Sequence, residues 1–163
     1  MKENKRVLSL LVNNNAGVLS RISGLFSRRG YNIDSLSVGV TADPRYSRMT
    51  VVCTGEELIL EQITKQVDVR DIKVLDPEDS VCREMIMVKI STGAEQREGV
   101  AAIADIFRAK VVDVSKDSLV IELTGSKNKL EAFIELLEPY EILELARTGI
   151  VGLSRGAENV TFL

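Results

Sequence analysis

Three consecutive asparagines, Asn13 to Asn15, stand between a strand-like apolar run at 7–12 and a helix-like pattern that begins near Val18. The turn before a helix presents backbone N–H groups without intrahelical partners, and these groups can hold a carboxylate or a phosphate. Asparagine amides donate and accept hydrogen bonds, which suits a zwitterion with an ammonium and a carboxylate. The same residues also form ordinary turns, and we expect Asn15 to be the N-cap, so capping is the commoner role on local chemistry alone.

The chain lacks most of the residues and motifs that enzymes commonly use for catalysis. It has no histidine, the commonest general base, so Ser-His-Asp and Cys-His catalysis are excluded within it. No G-x-x-x-x-G-K-[ST] or G-x-G-x-x-G string occurs. Cys53 and Cys82 form no Cys-x-x-Cys pair, so zinc and redox functions lack support, and Cys53 lies in an apolar pattern that predicts burial. We therefore expect no catalytic residues and no metal ligands.

Length and composition limit the cellular context. The 163 residues, 45% of them hydrophobic, suffice for one medium domain or two small ones. A net charge of −3 argues against a nucleic-acid partner. No run approaches about 18 apolar residues, and the start of the chain has too short an apolar stretch for a signal peptide, so we expect a cytoplasmic protein without a membrane span.

The first half of the chain has a strand, helix, strand, strand, helix, strand pattern. Apolar residues at helical spacing predict a first helix that ends at Gly30, with basic residues in its last turn. A second helix is predicted at 56–67 on Leu60, Ile63 and Val67. Alternation predicts the strands, at 7–12, 31–40, 47–54 and 69–75.

The second half repeats that order after an acidic break at 76–79. Strands are predicted at 83–90, 110–115, 118–124 and 141–146, and helices at 99–107 and 126–137, the latter capped by Ser126. Each half has the β-α-β-β-α-β order of a ferredoxin-like fold, so the fold class is α+β with two such domains, at 1–77 and 78–163. The last residues, ENVTFL, carry no firm prediction.

The predicted sheet order and the small size of each unit predict a homodimer. Each unit is small, and the second strand of the first unit, near 31–41, lies at a sheet edge that can pair with another copy. That edge begins at Asn32. Pairing of two chains there could bring the asparagine-rich turn of one beside Asn32 of the other.

Long strings in the chain resemble one family. NNNAGVLSRISGLFSRRGYNIDSLSVG at 13–39, SRMTVV at 47–52 and EQITKQ at 61–66 look like the regulatory small subunit of acetohydroxyacid synthase, also called acetolactate synthase. REMIMVKI at 83–90, IFRAKVVDVS at 106–115 and ARTGIVGLSRG at 146–156 agree. The resemblance covers nearly the whole chain.

The resemblance implies a regulatory role without catalysis. It implies an N-terminal ACT domain, which senses amino acids, and a second ferredoxin-like domain. The implied partner is the catalytic subunit, which would carry thiamine diphosphate, FAD and magnesium. The small subunit would activate that subunit and confer feedback inhibition by a branched-chain amino acid, typically valine.

The family's effector motif is carried over onto Asn14, Gly17 and Asn32. The resemblance implies that backbone N–H groups near Gly17 and Val18 hold the effector carboxylate while both asparagines face the ammonium. Leu19 and Ile33 could line an apolar pocket or belong to the core.

Three features depart from the family pattern and bear on the effector site. Asn13 stands where the family often has Glu, Ala16 stands where it often has Pro, and 66–70 is shorter. With a helix that starts after Asn15, Gly17 lies in its first turn, where an aspartate is tolerated unless Gly17 needs a positive φ.

Two other classes of function compete with this interpretation. An RNA-binding module shares the strand order but stacks bases on aromatic residues of its central strands, and 47–54 and 118–124 contain none. A stand-alone enzyme lacks support for the reasons above. The alternative that remains is an ACT-type sensor that regulates another enzyme.

Overall fold

The computed structural model describes residues 5–55 and 58–157. In these residues a β-α-β-β-α-β order occurs twice and one further strand follows, which confirms the predicted α+β class with two ferredoxin-like units. The elements of the first unit are β1 (Lys5–Asn13), α1 (Val18–Arg28), β2 (Ile33–Val40), β3 (Tyr46–Thr54), α2 (Leu58–Thr64) and β4 (Val69–Val74). Those of the second are β5 (Ser80–Ser91), α3 (Arg97–Phe107), β6 (Lys110–Val114), β7 (Ser118–Gly125), α4 (Lys127–Leu136) and β8 (Ile142–Arg147), and β9 (Val151–Ser154) comes last.

Both sheets are antiparallel and have the same strand order. The first is β2-β3-β1-β4 and the second is β6-β7-β5-β8. The first strand of each unit is therefore central, and the strand after the first helix lies at an edge, as predicted. This order brings the end of β1 beside the β2–β3 hairpin.

The described residues divide into two compact units, one formed by residues up to 82 together with 150–157 and the other by 83–149. The division at 77/78 stays a prediction.

β9 was not predicted, because an apolar alternation of four residues interrupted by Gly152 is too short to identify. β9 pairs with β5, and a Cβ at Gly152 would lie 2.7 Å from both Cys82 Sγ and Leu75 Cδ1.

Each unit has its own core beneath its helices. The four residues predicted to form the apolar stripe of α1 are all buried, which confirms its orientation: Val18, Ile22, Leu25 and Phe26. Full burial of each such side chain stabilises the folded state by about 1.5–3 kcal/mol. Cys53 also belongs to this core, and burial, with the charge of Asp34, raises the pKa of its thiol. In the second core, Phe107 and Phe133 meet edge to face at 5.3 Å.

The predicted helix ends are confirmed for α1 and α4. Arg29 is the C-cap of α1, and Gly30 follows it with φ +72°. At the start of α4, the Ser126 hydroxyl accepts a hydrogen bond from Lys129 N–H. Helix termination at Gly30 thus rests on a left-handed conformation that L-residues adopt at a cost.

The extent predicted for the second helix is wrong at its C-terminal end. α2 ends at Thr64, and Val67 lies outside it with 90% of its surface exposed. Ile59 and Ile63 are the buried residues of α2, while Leu60 is partly buried. The predicted start at 56–57 lies outside the described residues, and so does ENVTFL, at 158–163.

Two glycine substitutions in or beside α1 should change stability in opposite directions. Gly24→Ala should raise the free energy of unfolding by up to about 1 kcal/mol, because Gly24 is inside the helix and its Cβ would meet only Arg28 Nη1, at 3.6 Å. Gly30→Ala should lower it by about 1 kcal/mol because an L-residue disfavours positive φ, although the space around Gly30 is open. Urea unfolding followed by circular dichroism measures both. A shift of the same sign for both variants would contradict this account of the helix end.

Candidate functional site

The asparagine turn (residues 13–17) is anchored to two neighbouring loops. Asn13 N–H donates to the Asp68 carbonyl oxygen at 2.9 Å, in the loop before β4. The Asn13 amide oxygen accepts a hydrogen bond from Arg70 Nε, also at 2.9 Å. Because the backbone N–H and the side-chain oxygen of Asn13 both have partners, this residue holds the end of β1 in place.

Asn14 is attached to the β2–β3 hairpin. Its backbone N–H donates to the Arg45 carbonyl oxygen at 2.8 Å, and its side-chain Nδ2 donates to the Pro44 carbonyl oxygen at 2.9 Å. The side chain is exposed. Since the amide nitrogen is already engaged, the orientation of the amide is fixed, and its Oδ1 is left to accept a hydrogen bond from a ligand.

The N-cap of α1 is Gly17 and not Asn15, so the capping prediction is wrong. Gly17 has φ +85° and ψ −7°, and no side chain caps the helix. Asn15 contributes only its carbonyl oxygen, which accepts from Val18 N–H at 3.4 Å. A left-handed residue directly before the helix cannot be recognised from periodicity. Its consequence is that the first helical turn has N–H groups without a side-chain cap, which suits an anion.

The condition set for an aspartate at Gly17, that this residue does not need a positive φ, is not met. A side chain at φ +85° costs about 1–2 kcal/mol, because its Cβ crowds the backbone. A Cβ there would also lie 2.9 Å from Arg21 Nη1. Gly17 is thus required by the backbone conformation, whether or not a ligand approaches it.

Arginines surround the asparagine turn, and the sequence reasoning did not identify them. Arg21 donates from Nε and Nη2 to Asp68 Oδ2, at 2.8 and 2.7 Å. Arg45 and Asp43 make contacts of 2.6–3.1 Å, which lower the pKa of the Asp43 carboxyl through the Arg45 hydrogen bonds. Arg70 is bound to an amide oxygen, as described above. Only spatial proximity brings these residues together, since Arg21 and Asp68 are far apart in the sequence.

The apolar candidates divide between core and surface. Val18 is 3% exposed, so its side chain belongs to the core and only its backbone can serve a ligand. Ile33 is half-buried and packs against the same core. Leu19 is 45% exposed. Of the three, Leu19 is the side chain that a partner or a ligand could cover.

Asn32 is part of a small polar chain at the start of β2. Its Nδ2 donates to Asp34 Oδ1 at 2.8 Å, and Asp34 Oδ2 forms an ion pair with Lys5 Nζ at 3.2 Å. The Asn32 side chain is exposed. As in Asn14, the engaged amide nitrogen leaves the amide oxygen to face a ligand.

The structure does not bring Asn14 and Asn32 together within one chain. In the strand register, Asn13 pairs with Tyr46 and Ile33 pairs with Cys53, at opposite ends of β3. About seven residues of extended strand, roughly 23 Å, therefore separate the two ends. A site that uses both asparagines needs a second chain.

A metal-binding cluster and a membrane-spanning helix are both absent from the described part of the chain. Across residues 5–55 and 58–157, no group of three or more His, Cys, Asp and Glu side chains is arranged to hold a metal ion. Within the same residues, every helix is too short or too polar to cross a bilayer.

Two family models match the chain. Residues 8–71 match the AHAS small subunit-like ACT domain, and residues 83–156 match the small subunit of acetolactate synthase. The chain is 48% identical over 157 residues to an acetolactate synthase small subunit of Mycolicibacterium smegmatis, covering 94% of this chain and 92% of that protein. It is 43% identical over 159 residues to the one from Bacillus subtilis, again covering 94% and 92%.

A solved structure matches over both units. The crystal structure of the acetolactate synthase small subunit from Thermotoga maritima has a TM-score of 0.86 and 39% sequence identity, covering 94% of this chain and 98% of that one. The matches span nearly the whole length of the chain and of its relatives. The chain therefore belongs to the acetolactate synthase small-subunit family, with an N-terminal ACT domain, and is the regulatory and not the catalytic subunit of that enzyme.

Proposed function

We propose that this chain activates the catalytic subunit of acetolactate synthase and makes it sensitive to feedback inhibition by a branched-chain amino acid, with valine favoured. The observation that carries the proposal is the asparagine turn, in which Asn14 is oriented and the first turn of α1 has no side-chain cap. Such a turn has acceptors for an ammonium and donors for a carboxylate within one loop.

The proposed effector site lies between the ACT domains of two chains. β2 is an edge strand of the first sheet, and Val38 and Val40 on it are 45% and 60% exposed. An apolar edge with unpaired backbone groups favours pairing with another strand. The simplest symmetric arrangement pairs β2 with the same strand of a second copy, antiparallel about a two-fold axis.

That pairing explains how two distant asparagines serve one site. A two-fold axis at the middle of β2 sets Ile33 of one chain opposite Val40 of the other. Val40 and Asn13 both lie at the end of β3 that begins with Tyr46 and Ser47. Asn32 of one chain then comes to the end of the sheet that carries Asn14 of the other, and each dimer has two such sites.

Each residue has a defined role in the proposed site. N–H groups at Gly17 and Val18 hold the effector carboxylate at the start of α1, and the Val18 N–H is available because its contact with the Asn15 carbonyl is long, 3.4 Å. Arg70 adds positive charge there, while Arg21 is paired with Asp68. The amide oxygens of Asn14 and Asn32 accept from the ammonium. The exposed Leu19 contacts the branched side chain, and Ile33 supports that contact from the core.

The same geometry links the effector to assembly. A ligand that binds only the paired chains stabilises the dimer by about 2.7 kcal/mol at a hundred times its dissociation constant. Valine would thus change the contact between two ACT domains, and the catalytic subunit would respond to that change. We further propose that the complex is cytoplasmic and that thiamine diphosphate, FAD and magnesium belong to the catalytic subunit.

Reconstitution tests the proposed function. Acetolactate formation from pyruvate is measured with the catalytic subunit alone, with this chain alone, and with both, across a titration of valine, leucine and isoleucine. The chain alone should be inactive and bind no thiamine diphosphate, since it has no histidine and no cofactor motif. The mixture should exceed the catalytic subunit alone and lose the increase as valine rises. Stimulation that no branched-chain amino acid reduces would contradict the feedback role.

The dimer edge can be tested by placing a charge on it. Val40→Lys should raise the dimer dissociation constant at least about tenfold, because a lysine on an edge strand opposes strand pairing. Val67→Lys is the matched control, since Val67 is 90% exposed and lies away from β2. Sedimentation equilibrium measures both variants. Equal dimerisation of the two would remove β2 from the interface.

A mixing experiment tests whether two chains share the site. Asn14→Ala and Asn32→Ala should each weaken valine binding roughly ten- to a hundredfold, since each loses a hydrogen bond to a charged group. When the two variants are mixed and allowed to exchange, half of the dimers contain one of each, and each mixed dimer has one intact site. Calorimetry should then recover about a quarter of the wild-type sites at wild-type affinity.

The controls separate a shared site from general damage. Asn128→Ala makes the same change on the exposed side of α4 and should leave valine binding unchanged. Each single variant should remain folded, because both side chains are exposed and the backbone hydrogen bond of Asn14 is kept. Mixing that restores no sites, with both single variants impaired and exchange verified, would assign both asparagines to a site within one chain.

A further inference from the structure

Two buried polar atoms of the second unit have no hydrogen-bond partner. Among the described residues, the buried side-chain nitrogen and oxygen atoms in this condition are Thr92 Oγ1 and Arg97 Nε. The whole Thr92 residue is 0% exposed. Leaving such a group without a partner costs about 1–3 kcal/mol, and more for a charged one, so each such atom calls for an explanation.

Both atoms belong to residues that contact the same hairpin. Thr92 N–H donates to the Asp117 carbonyl oxygen at 2.8 Å, and Arg97 Nη2 donates to the Ser115 carbonyl oxygen. Ser115 and Asp117 lie in the tight turn between β6 and β7, which is closed by a hydrogen bond from Ser115 N–H to the Ser118 carbonyl at 2.9 Å. The two unpartnered atoms are therefore at one end of the sheet.

Thr92 occupies the position in the second unit that Asn14 has in the first. Each residue directly follows the central strand that leads to the first helix of its unit. Each donates its backbone N–H to a carbonyl oxygen of the hairpin between the next two strands, Arg45 for Asn14 and Asp117 for Thr92, both at 2.8 Å.

The preceding residues correspond in the same way. Asn13 N–H donates to the Asp68 carbonyl oxygen, and Ser91 N–H donates to the Glu141 carbonyl oxygen, both at 2.9 Å. Asp68 and Glu141 each precede the last strand of their unit. The match of two consecutive hydrogen bonds means that the loop after β5 is the structural counterpart of the asparagine turn.

The charge at this loop favours an anion. Arg97 is the first residue of α3, and its N-cap Gln96 makes no side-chain cap. A cation at a helix N-terminus is disfavoured by the helix dipole. An anion bound there would neutralise the cation and interact favourably with the positive end of the dipole. Across the described residues, Arg97 makes no ion pair, and its guanidinium is held by a carbonyl oxygen.

Acidic neighbours limit the charge that the anion can carry. Glu98 lies in the first turn of α3, Asp117 is in the hairpin, and Asp113 accepts a hydrogen bond from the Ser115 hydroxyl at 3.2 Å. These carboxylates would repel a dianion such as phosphate more than a singly charged group. The residues after Thr92, at 93–96, include Glu95 and are exposed, and the space beside Gly93 is open. Because Thr92 Oγ1 and Arg97 Nε are themselves buried, a small molecule reaches them only when this exposed stretch shifts.

We propose that Thr92 and Arg97 form a second binding site, for the carboxylate of a small organic acid, at the N-terminus of α3. The Thr92 hydroxyl and Arg97 Nε–H each donate a hydrogen bond to the carboxylate, and backbone N–H groups of the first turn of α3 complete the set of donors. This site is separate from the effector site of the ACT domain and does not depend on the proposed function.

Side-chain NMR of the full-length chain tests the site directly. The Arg97 Nε–H and Thr92 backbone signals are followed in ¹⁵N spectra during titration with sodium acetate, sodium isobutyrate or sodium phosphate, with sodium chloride at matched ionic strength as the reference. Both signals should shift and saturate with the carboxylates, and phosphate should bind more weakly. Shifts that equal those in chloride, or tighter binding of phosphate, would overturn the proposal.

Three variants distinguish ligand binding from a structural role. Thr92→Val keeps the shape and removes the hydroxyl, and Arg97→Lys removes the Nε–H; each should raise the dissociation constant for acetate at least about tenfold. Arg108→Lys, at the other end of α3, should leave it unchanged. Unaltered acetate binding in the first two variants would assign the signals to another site.

Thermal unfolding without any organic acid provides an independent measurement. If Thr92 Oγ1 has no hydrogen-bond partner in the absence of a ligand, Thr92→Val should melt at the wild-type temperature or above, because it removes a buried polar group without a partner. Acetate should raise the melting temperature of the wild type and not that of Thr92→Val. A clear destabilisation of Thr92→Val in acid-free buffer would mean that the hydroxyl already bonds within the protein or to a buried water, and would refute the site.

Discussion

One hydrogen bond, from the first residue after the central strand to the neighbouring hairpin, fixes the loop that leads into the first helix of each unit. In the first unit it joins Asn14 N–H to the Arg45 carbonyl, and in the second it joins Thr92 N–H to the Asp117 carbonyl. It holds the backbone at the point where the central strand turns toward the helix. Without it, the donors and acceptors of the loop would have no common orientation, and a ligand would have to order them at an entropic cost.

A second constraint follows from the strand order. A β2-β3-β1-β4 sheet leaves β2 with one neighbour, and the start of β2 is at the far end of the sheet from the asparagine turn. The polar residues at these two ends cannot meet in one chain, because the length of the strand β3 separates them and an extended strand has a fixed rise per residue. Dimerisation is thus a requirement of a site that uses Asn14 and Asn32, and any effector held there is linked to the association of two chains.

Features set by local rules could be predicted from the sequence. The apolar stripe of α1, its end at Gly30 and the Ser126 cap of α4 each depend on a few adjacent residues, and all are confirmed. The order of elements and the edge position of β2 follow from ferredoxin-like topology. The long strings at 13–39 and 146–156 indicated the family without any geometry.

Features that depend on distant partners could not be predicted. The left-handed Gly17 in place of an Asn15 cap reflects how the turn is tied to Arg45 and Pro44, about thirty residues away along the chain. The end of α2 before Val67 reflects the short connection into β4, and β9 becomes a strand only because β5 is beside it. Periodicity describes one element at a time and carries no information about such contacts.

The two turns share two backbone hydrogen bonds but differ in the conformation of the N-cap, which is left-handed at Gly17 and right-handed at Gln96, and in what their side chains can recognise. The first has exposed amides, whose oxygens accept from an ammonium, beside helix N–H groups that donate to a carboxylate, so it suits a zwitterion. The second has a buried hydroxyl and a guanidinium with no exposed amide oxygen at the Thr92 position, so its side chains mainly donate. A donor set at Thr92 and Arg97 satisfies a carboxylate, and burial makes it costly to leave those donors without partners. The shared anchoring of the two loops, combined with different side chains, is thus the basis of the two proposed specificities, an amino acid in the first unit and a simple acid in the second.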